Sequence, residues 1–355
     1  MLIYVCSSSH GFGHAARDVA VLQALHSLRP DWQLVLSSHL NPRVLRSLIG
    51  DTPVQIRPCR WDVGMVQADA LGSDPTATLV ALDHLNQQLP DQLRAEAEWI
   101  RSCGRPTLVL GDIPPAAAAL AERLEAPLVW MSNFGWDDIY LPFGGAFLHH
   151  AEQARASYRR GQLLLRCPFD LAMDWGCPDQ TLGLVCGTAR PLPPALRDTL
   201  TALDCPLVQI GFGGLGLPLD GSLLERWSDL HFVMAAPHAL EGDHCPANLT
   251  LLPEGVRPLD VFPFCSRHLG KPGFSTFAEA MAADVGLHVV ERRDFAEVRA
   301  LLDGLVRHSH HRQLSRQQLV QGDWALDAPL IPPTGTPLPS DGARSAAEAL
   351  IMQLE

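Results

Sequence analysis

Leu269-Gly270-Lys271-Pro272-Gly273-Phe274-Ser275-Thr276-Phe277-Ala278-Glu279 is a turn signal running into a helix start. Gly270, Pro272 and Gly273 break the chain, and Ala278, Ala280, Met281, Ala282 and Ala283 then suit a helix. Ser275 or Thr276 is expected to cap it, because a hydroxyl there accepts a hydrogen bond from an orphan amide. A glycine-opened helix start gathers free N–H groups and the positive end of the peptide dipoles, which favours a phosphate. Lys271 adds a full charge, and Glu279 is placed to accept hydrogen bonds from ribose hydroxyls. Alone, the stretch reads equally as an ordinary loop-to-helix junction.

Outward from it the chain alternates. Residues 206–210 read as a strand running into Gly211-Phe212-Gly213-Gly214, whose glycines would let a diphosphate approach backbone amides. Strands follow at 231–235, 248–252 and 286–290, with helices at 222–229, 259–264, 296–308, 312–320 and 342–354. In the first half, strands are expected at 1–7, 33–38, 53–57, 107–110, 127–131 and 163–166. Helices fill 14–28, 43–48, 75–103 (broken near Pro90), 115–124 and 147–160. Short apolar strands alternating with helices predict parallel sheets with right-handed crossovers. Residues 177–194 turn to Gly, Thr and Pro and read as a linker. The expectation is an α/β protein of two Rossmann-like domains facing across a cleft. An acceptor domain spans 1–185, a nucleotide-sugar donor domain 186–340, and a last helix, 341–355, packs back on the first.

Bulk properties narrow the classes. The chain has 355 residues, 47% of them hydrophobic and 19% charged, enough for two packed cores. A net charge of −12 argues against a broad nucleic-acid or anionic-membrane surface, so an anionic substrate needs a local positive pocket. The nine cysteines are dispersed with no Cys-x-x-Cys pair, which disfavours a structural metal and fits free thiols in a reducing compartment. The apolar start is too short and lacks the basic leader of a signal peptide, and no apolar run approaches a membrane span. A cytoplasmic location is expected.

The first candidate for chemistry is Ser9-His10-Gly11-Phe12-Gly13-His14-Ala15-Ala16-Arg17-Asp18, between the first strand and first helix. Ligands bind at this edge of a doubly wound sheet. A histidine there titrates near neutrality and can act as a general base, or His14 can simply open the helix. Gly11-x-Gly13 lacks the third glycine of a dinucleotide fingerprint. Asp112, at the end of another strand, can orient a histidine or cap the next helix. Asn133-Phe134-Gly135-Trp136-Asp137-Asp138 suits a polar ligand with apolar faces, such as a sugar, or a folded loop. Asp294 and Glu297, after the 286–290 strand, can bind sugar hydroxyls. His308, His310 and His311 lack a spaced carboxylate and read as a solvated helix end rather than a metal site.

These residues together resemble glycosyltransferases of the GT-B fold. Gly273-x-x-Thr276-x-x-Glu279 is similar to the donor signature of the bacterial peptidoglycan N-acetylglucosaminyltransferases, whose glutamate holds the nucleotide ribose. His10-Gly11-Phe12-Gly13-His14-x-x-Arg17, Asn133-Phe134-x-Trp136-Asp137-x-Ile139-Tyr140, Lys271-x-Gly273-Phe274 and Asp294-Phe295-Ala296-Glu297 resemble, in the same order, the glycosyltransferase-like half of plant L-arabinokinases and standalone bacterial proteins like it. No Pro-x-x-x-Gly-x-Gly-x-Ser-Ser phosphate loop occurs, so sugar-1-kinase activity is not implied.

The resemblance implies transfer of a sugar from a nucleotide-diphosphate donor, expected to be UDP-linked, to a small-molecule or lipid-linked hydroxyl acceptor, with no metal and no cofactor. Lys271, Gly273, Ser275 and Thr276 would hold the diphosphate with Gly213 and Gly214 opposite, Glu279 the ribose, and Asp294 and Glu297 the sugar. His14, aided by Asp112, would take the acceptor proton. His10, Gly11, Gly13, Arg17, Asn133, Trp136 and Asp137 would line the acceptor side. A nucleotide-sugar epimerase and a non-catalytic nucleotide-sugar-binding protein are the alternatives on the same fold.

Overall fold

A computed structural model describes residues 1–67, 72–213, 219–235, 240–241, 245–292 and 295–354. The first half runs β1 (Leu2–Ser7), α1 (Gly13–Leu28), β2 (Gln33–Ser37), α2 (Pro42–Ile49), β3 (Val54–Arg57), α3 (Pro75–Ser102), β4 (Thr107–Asp112), α4 (Ala116–Leu124), β5 (Leu128–Ser132), α5 (Trp136–Tyr140), α6 (Phe147–Tyr158), β6 (Leu163–Arg166) and β7 (Asp179–Thr181). The second runs α7 (Pro194–Thr201), β8 (Leu207–Gly211), β9 (Leu219–Asp220), α8 (Ser222–Glu225), β10 (His231–Ala235), β11 (Leu240–Glu241), β12 (Leu249–Leu252), α9 (Pro258–Val261), β13 (Cys265–Gly270), α10 (Phe274–Ala282), β14 (Gly286–Val290), α11 (Glu297–His308), β15 (His311–Leu314), α12 (Arg316–Gln321) and α13 (Gly342–Met352).

Two parallel sheets result. The first has seven strands in the order β3-β2-β1-β4-β5-β6-β7, the second six in the order β12-β10-β8-β13-β14-β15. Strands β9 and β11 form a small pair apart from both. β1, β4 and β5 are almost wholly buried, as strands covered by helices on both faces must be. In each sheet the strand order reverses once, between β1 and β4 and between β8 and β13. Doubly wound sheets place ligands at such switch points, beyond the carboxyl ends of the strands. The ends of these four strands and the segments that follow them carry His10 to Arg17, Asp112, Gly213 and Lys271 to Glu279, whereas Asn133 to Asp137 follow β5 and Glu297 follows β14. The largest apolar cluster crosses between the halves, joining Ile3, Leu110 and Met131 to Phe274, Phe277 and Leu301, and α13 lays Ala346 and Leu350 into it beside α1.

The structure corrects several boundaries. α3 runs unbroken through Pro90, whose ring stands on the exposed face, so only one backbone hydrogen bond is forfeited. The expected linker holds a short strand, β7, paired in parallel with β6. Residues 312–320 divide into β15 and α12 instead of one helix, and α8 stops at Glu225. β13, central in its sheet, was not anticipated, because Ser266, Arg267 and His268 break any apolar pattern.

Candidate active site in the cleft

Three adjacent strand ends build the first wall. The β1–β4 register sets Ser7 beside Asp112, so the Asp112 carboxylate lies by the first turn of α1. His14 and Arg17, three residues apart on that helix, both reach it. His14 Nδ1 is 2.8 Å from Asp112 Oδ1, and Arg17 Nε donates to Asp112 Oδ2 at 2.5 Å while its Nη2 donates to Oδ1. The same guanidinium donates through Nη1 to Asn133 Oδ1 at 2.7 Å and through Nη2 to Ser132 Oγ at 3.3 Å, both at the end of β5. Nη2 also lies 3.0 Å from His14 Nδ1. All of these side chains are buried.

Burial alone would raise the Asp112 carboxyl, but the Arg17 charge, then His14 and the hydrogen bonds to both, outweigh it and hold it at about 2. Asp18 lies beneath with no solvent exposure. Burial, and then the Asp112 charge, push its carboxyl well above the ordinary range.

The second half closes on this wall. α10 starts at Phe274 with Gly273 as its N-cap, and no side chain caps it, which corrects the expectation for Ser275 and Thr276. The helix begins one residue before Ser275, so that residue falls in the first turn. Its hydroxyl donates across the cleft to the Gly13 carbonyl at 2.8 Å. A Cβ built on Gly13 would meet that hydroxyl at 3.2 Å, a fit that favours glycine. The Arg17 guanidinium carbon sits 4.8 Å from the Phe274 ring centroid. Glu297, at the start of α11, accepts from Asn133 Nδ2 at 2.7 Å and so is tied to Asn133 here.

Lys271 lies beside Gly213: a Cβ built there would be 3.3 Å from Nζ, and its φ of +81° suits glycine. Glu279 is half-buried on α10, where desolvation lifts its carboxyl to about 7. Gly214 and Asp294 lie outside the described residues.

His10 and Gly11 belong to the loop that enters α1. The His10 ring stacks on Phe295 at 5.5 Å and meets Trp136 edge-on at 5.3 Å, and its Nδ1 accepts from the Met65 amide at 3.3 Å. Burial, then the charges of His14, Arg292 and Lys271, depress it to about 3, so it is a neutral ring at pH 7. Trp136 is wholly buried behind it and donates to Asp62 at 2.8 Å. The structure does not bring Asp137 into this set, because its carboxylate accepts from Arg155 Nε at 3.0 Å and Trp175 Nε1 at 3.3 Å.

Sequence reasoning includes Asp18 in its first candidate stretch without giving it a role, and it misses Asp62 and His268. His268 on β13 faces Gln209, whose Nε2 donates to the Ile210 carbonyl, so the Gln209 oxygen accepts and His268 Nδ1 donates. His268 Nε2 then has no hydrogen-bond partner among the described residues and lies directly beside Gly270, where a Cβ would come within 2.4 Å of it. The two glycines flanking the strand end were the available signal. Among the described residues no group of three His, Cys, Asp or Glu side chains is arranged to hold a metal ion.

Two doubly wound sheets meeting at their switch points define the GT-B fold, and solved structures agree. The chain superposes on Arabidopsis thaliana UGT89C1 complexed with quercetin (TM-score 0.62, 14% identity, covering 99% of this chain and 92% of that one). It also superposes on Phytolacca americana UGT2 complexed with UDP-2fluoro-glucose and pterostilbene (0.63, 13%, 99% and 93%) and on the spinosyn forosaminyltransferase SpnP (0.60, 16%, 99% and 93%). In sequence it is similar to the L-arabinokinase of Arabidopsis thaliana, 29% identical over 326 residues, which cover 89% of this chain and 31% of that protein. The chain thus spans less than a third of that relative's length. No protein-family model matches.

Proposed function

We propose that this protein is a glycosyltransferase that moves a sugar from a UDP-linked donor to a hydroxyl acceptor. The observation that carries this is the meeting of α1 and α10 at their N-terminal ends. The His14–Asp112 pair stands on one wall, and an amide-lined helix start with Lys271 beside it stands on the other, joined by the bond from Ser275 to Gly13. In this reading Lys271 and the Gly213 and Gly273–Thr276 backbone hold the diphosphate, and Glu279 takes the ribose. His14 takes the acceptor hydroxyl's proton at Nε2 while Asp112 orients Nδ1. UGT89C1 complexed with UDP-L-rhamnose and UGT2 complexed with UDP-2fluoro-glucose share the fold, which supports a UDP-sugar as donor.

A second reading, nucleotide-sugar binding without turnover, draws on Arg17. It occupies both oxygens of Asp112 and so competes for the carboxylate that would orient His14. One experiment separates the two. UDP should raise the melting temperature of the wild type, because a ligand that binds only the native state stabilises it. His14→Ala should keep that shift but lose UDP release from UDP-sugars by about 100-fold or more, the scale of a lost general base. Unchanged UDP release would remove His14 from the chemistry, and no stabilisation by UDP at millimolar concentration would defeat the donor site.

A further inference from the structure

Glu297, expected from the sequence to bind sugar hydroxyls, has a protein partner across the cleft. It is the first residue of α11, in the second half, and its Oε1 accepts from Asn133 Nδ2 at 2.7 Å. The other end of the same amide, Asn133 Oδ1, accepts from Arg17 Nη1 at 2.7 Å. Arg17 in turn donates to both oxygens of Asp112, and Asp112 Oδ1 lies 2.8 Å from His14 Nδ1. An unbroken run of hydrogen bonds therefore links the second half to the ring of His14, through side chains no more than 9% exposed.

The amide in the middle makes the run transmit. Its donor and acceptor sit on one rigid plane, so Asn133 cannot turn Nδ2 towards another acceptor without withdrawing Oδ1 from Arg17. Leaving Nδ2 where it is, buried and without an acceptor, is costly. Arg17 Nη2 and His14 Nδ1 meet at the same Asp112 oxygen and stand 3.0 Å apart. A guanidinium released by Asn133 can slide over that oxygen and take it from the histidine. Glu297 thus fixes Asn133, Asn133 fixes Arg17, and Arg17 leaves Asp112 Oδ1 open to His14.

We propose that Glu297 is a positioning residue for the His14–Asp112 pair: it acts across the cleft through Asn133 and Arg17, so the pair is aligned only while α11 is seated against the first half. The reaction rests on the glycosyltransferase reading, but the alignment is tested without turnover. The comparison is Glu297→Gln against Glu297→Ala in the full chain. Glutamine keeps an oxygen for Asn133 Nδ2, and alanine removes it. Two quantities are read. One is UDP release from UDP-glucose, split into kcat and KM. The other is the nitrogen-15 shifts of the His14 ring, assigned with His14→Ala, which report the nitrogen that carries the proton. Glu297→Ala should lower kcat about ten-fold or more with KM within about two-fold of the wild type, the pattern of a misplaced catalytic group. It should also turn a His14 ring protonated at Nδ1 into a mixture of tautomers. Glu297→Gln should keep both wild-type values. If the alanine variant does not fold, Asn133→Asp sets two carboxylates against each other and should do the same damage. Adding Glu297→Gln, whose amide can donate to the introduced carboxylate, should reverse it.

A raised KM for UDP-glucose with the His14 shifts unmoved would return Glu297 to the sugar and overturn the proposal. So would an alanine variant that matches the wild type in both readouts. A wild type that releases no UDP from UDP-glucose would count against the glycosyltransferase reading alone, and the ring shifts would still decide the link from Glu297 to His14.

Discussion

Arg17 is the residue that holds the first wall together. Its guanidinium reaches Asp112, Ser132 and Asn133, and through Asn133 it is linked to Glu297 in the other half. A buried cation with this many acceptors gains specificity of position more than net stability, because desolvating the pair offsets most of its attraction. The titration of the molecule is set elsewhere, by buried neutral histidines. Burial depresses His10 and His268 to about 3, and burial with the Arg267 charge depresses His288 to about 4. Their folded values lie below the unfolded value near 6.5, so between those limits the unfolded chain binds more protons and stability falls as pH drops. Asp112 acts only below about pH 4, where the unfolded carboxyl takes a proton that the folded one refuses until about 2. Glu279, raised to about 7, works in the opposite sense and loses stability as pH rises towards 7. Each histidine contributes up to about 1.4 kcal/mol per pH unit to the slope. The raised carboxyls of Asp18 and Asp138 act in the same sense as Glu279, so the test is a difference: in urea titrations between pH 5 and 6, His268→Gln should lower the slope of stability against pH, relative to the wild type, by up to about 1.4 kcal/mol per unit. An unchanged slope would mean that His268 titrates alike in both states.

Elements with regular apolar spacing were legible in the sequence, and those with functional chemistry were less so. β1 and β5 open as unbroken apolar runs, β14 is apolar but for His288, and each stands within a residue or two of where its pattern puts it. β13 is written Cys-Ser-Arg-His-Leu-Gly, and its place in the sheet comes from its neighbours β8 and β14. β15 begins His-Arg-Gln and was read as helix for the same reason. At the site, glycines and strand ends drew attention to His14, Asp112 and the Gly273 turn. The cap expected of Ser275 failed because its partner, Gly13, lies 262 residues away and no local pattern reports it. The break expected near Pro90 does not occur in α3. With Pro90 exposed, the helix lacks only the bond its nitrogen would give to the Asn86 carbonyl, so Pro90→Ala should restore it and stabilise the protein, by about 1 to 3 kcal/mol, without changing UDP affinity. Denaturant midpoints at constant m-value measure this, and a lower midpoint would show that the proline relieves a strain the alanine helix reinstates.

Across the whole molecule, the two halves are held by more than a linker. One apolar cluster runs from Ile3, Leu110 and Met131 through Phe274, Phe277 and Leu301 to Leu350 of the final helix. Polar bonds from Asn133 to Glu297 and from Ser275 to Gly13 cross the same boundary. Domains joined by small polar interfaces unfold separately, whereas halves that share a core cannot expose one side without exposing the other. Calorimetry should accordingly record one transition for the chain, with van't Hoff and calorimetric enthalpies close to equal. Phe277 is wholly buried in the shared cluster, so Phe277→Ala should cost about 3 to 5 kcal/mol and lower that single transition as a unit. UDP, though proposed to bind mainly the second half, should then raise the melting of both halves together, because coupled halves share the binding free energy. Two resolved transitions in the wild type, only one of them moved by UDP, would show that the shared cluster does not couple the halves, and the cleft would have to be treated as a contact that opens freely.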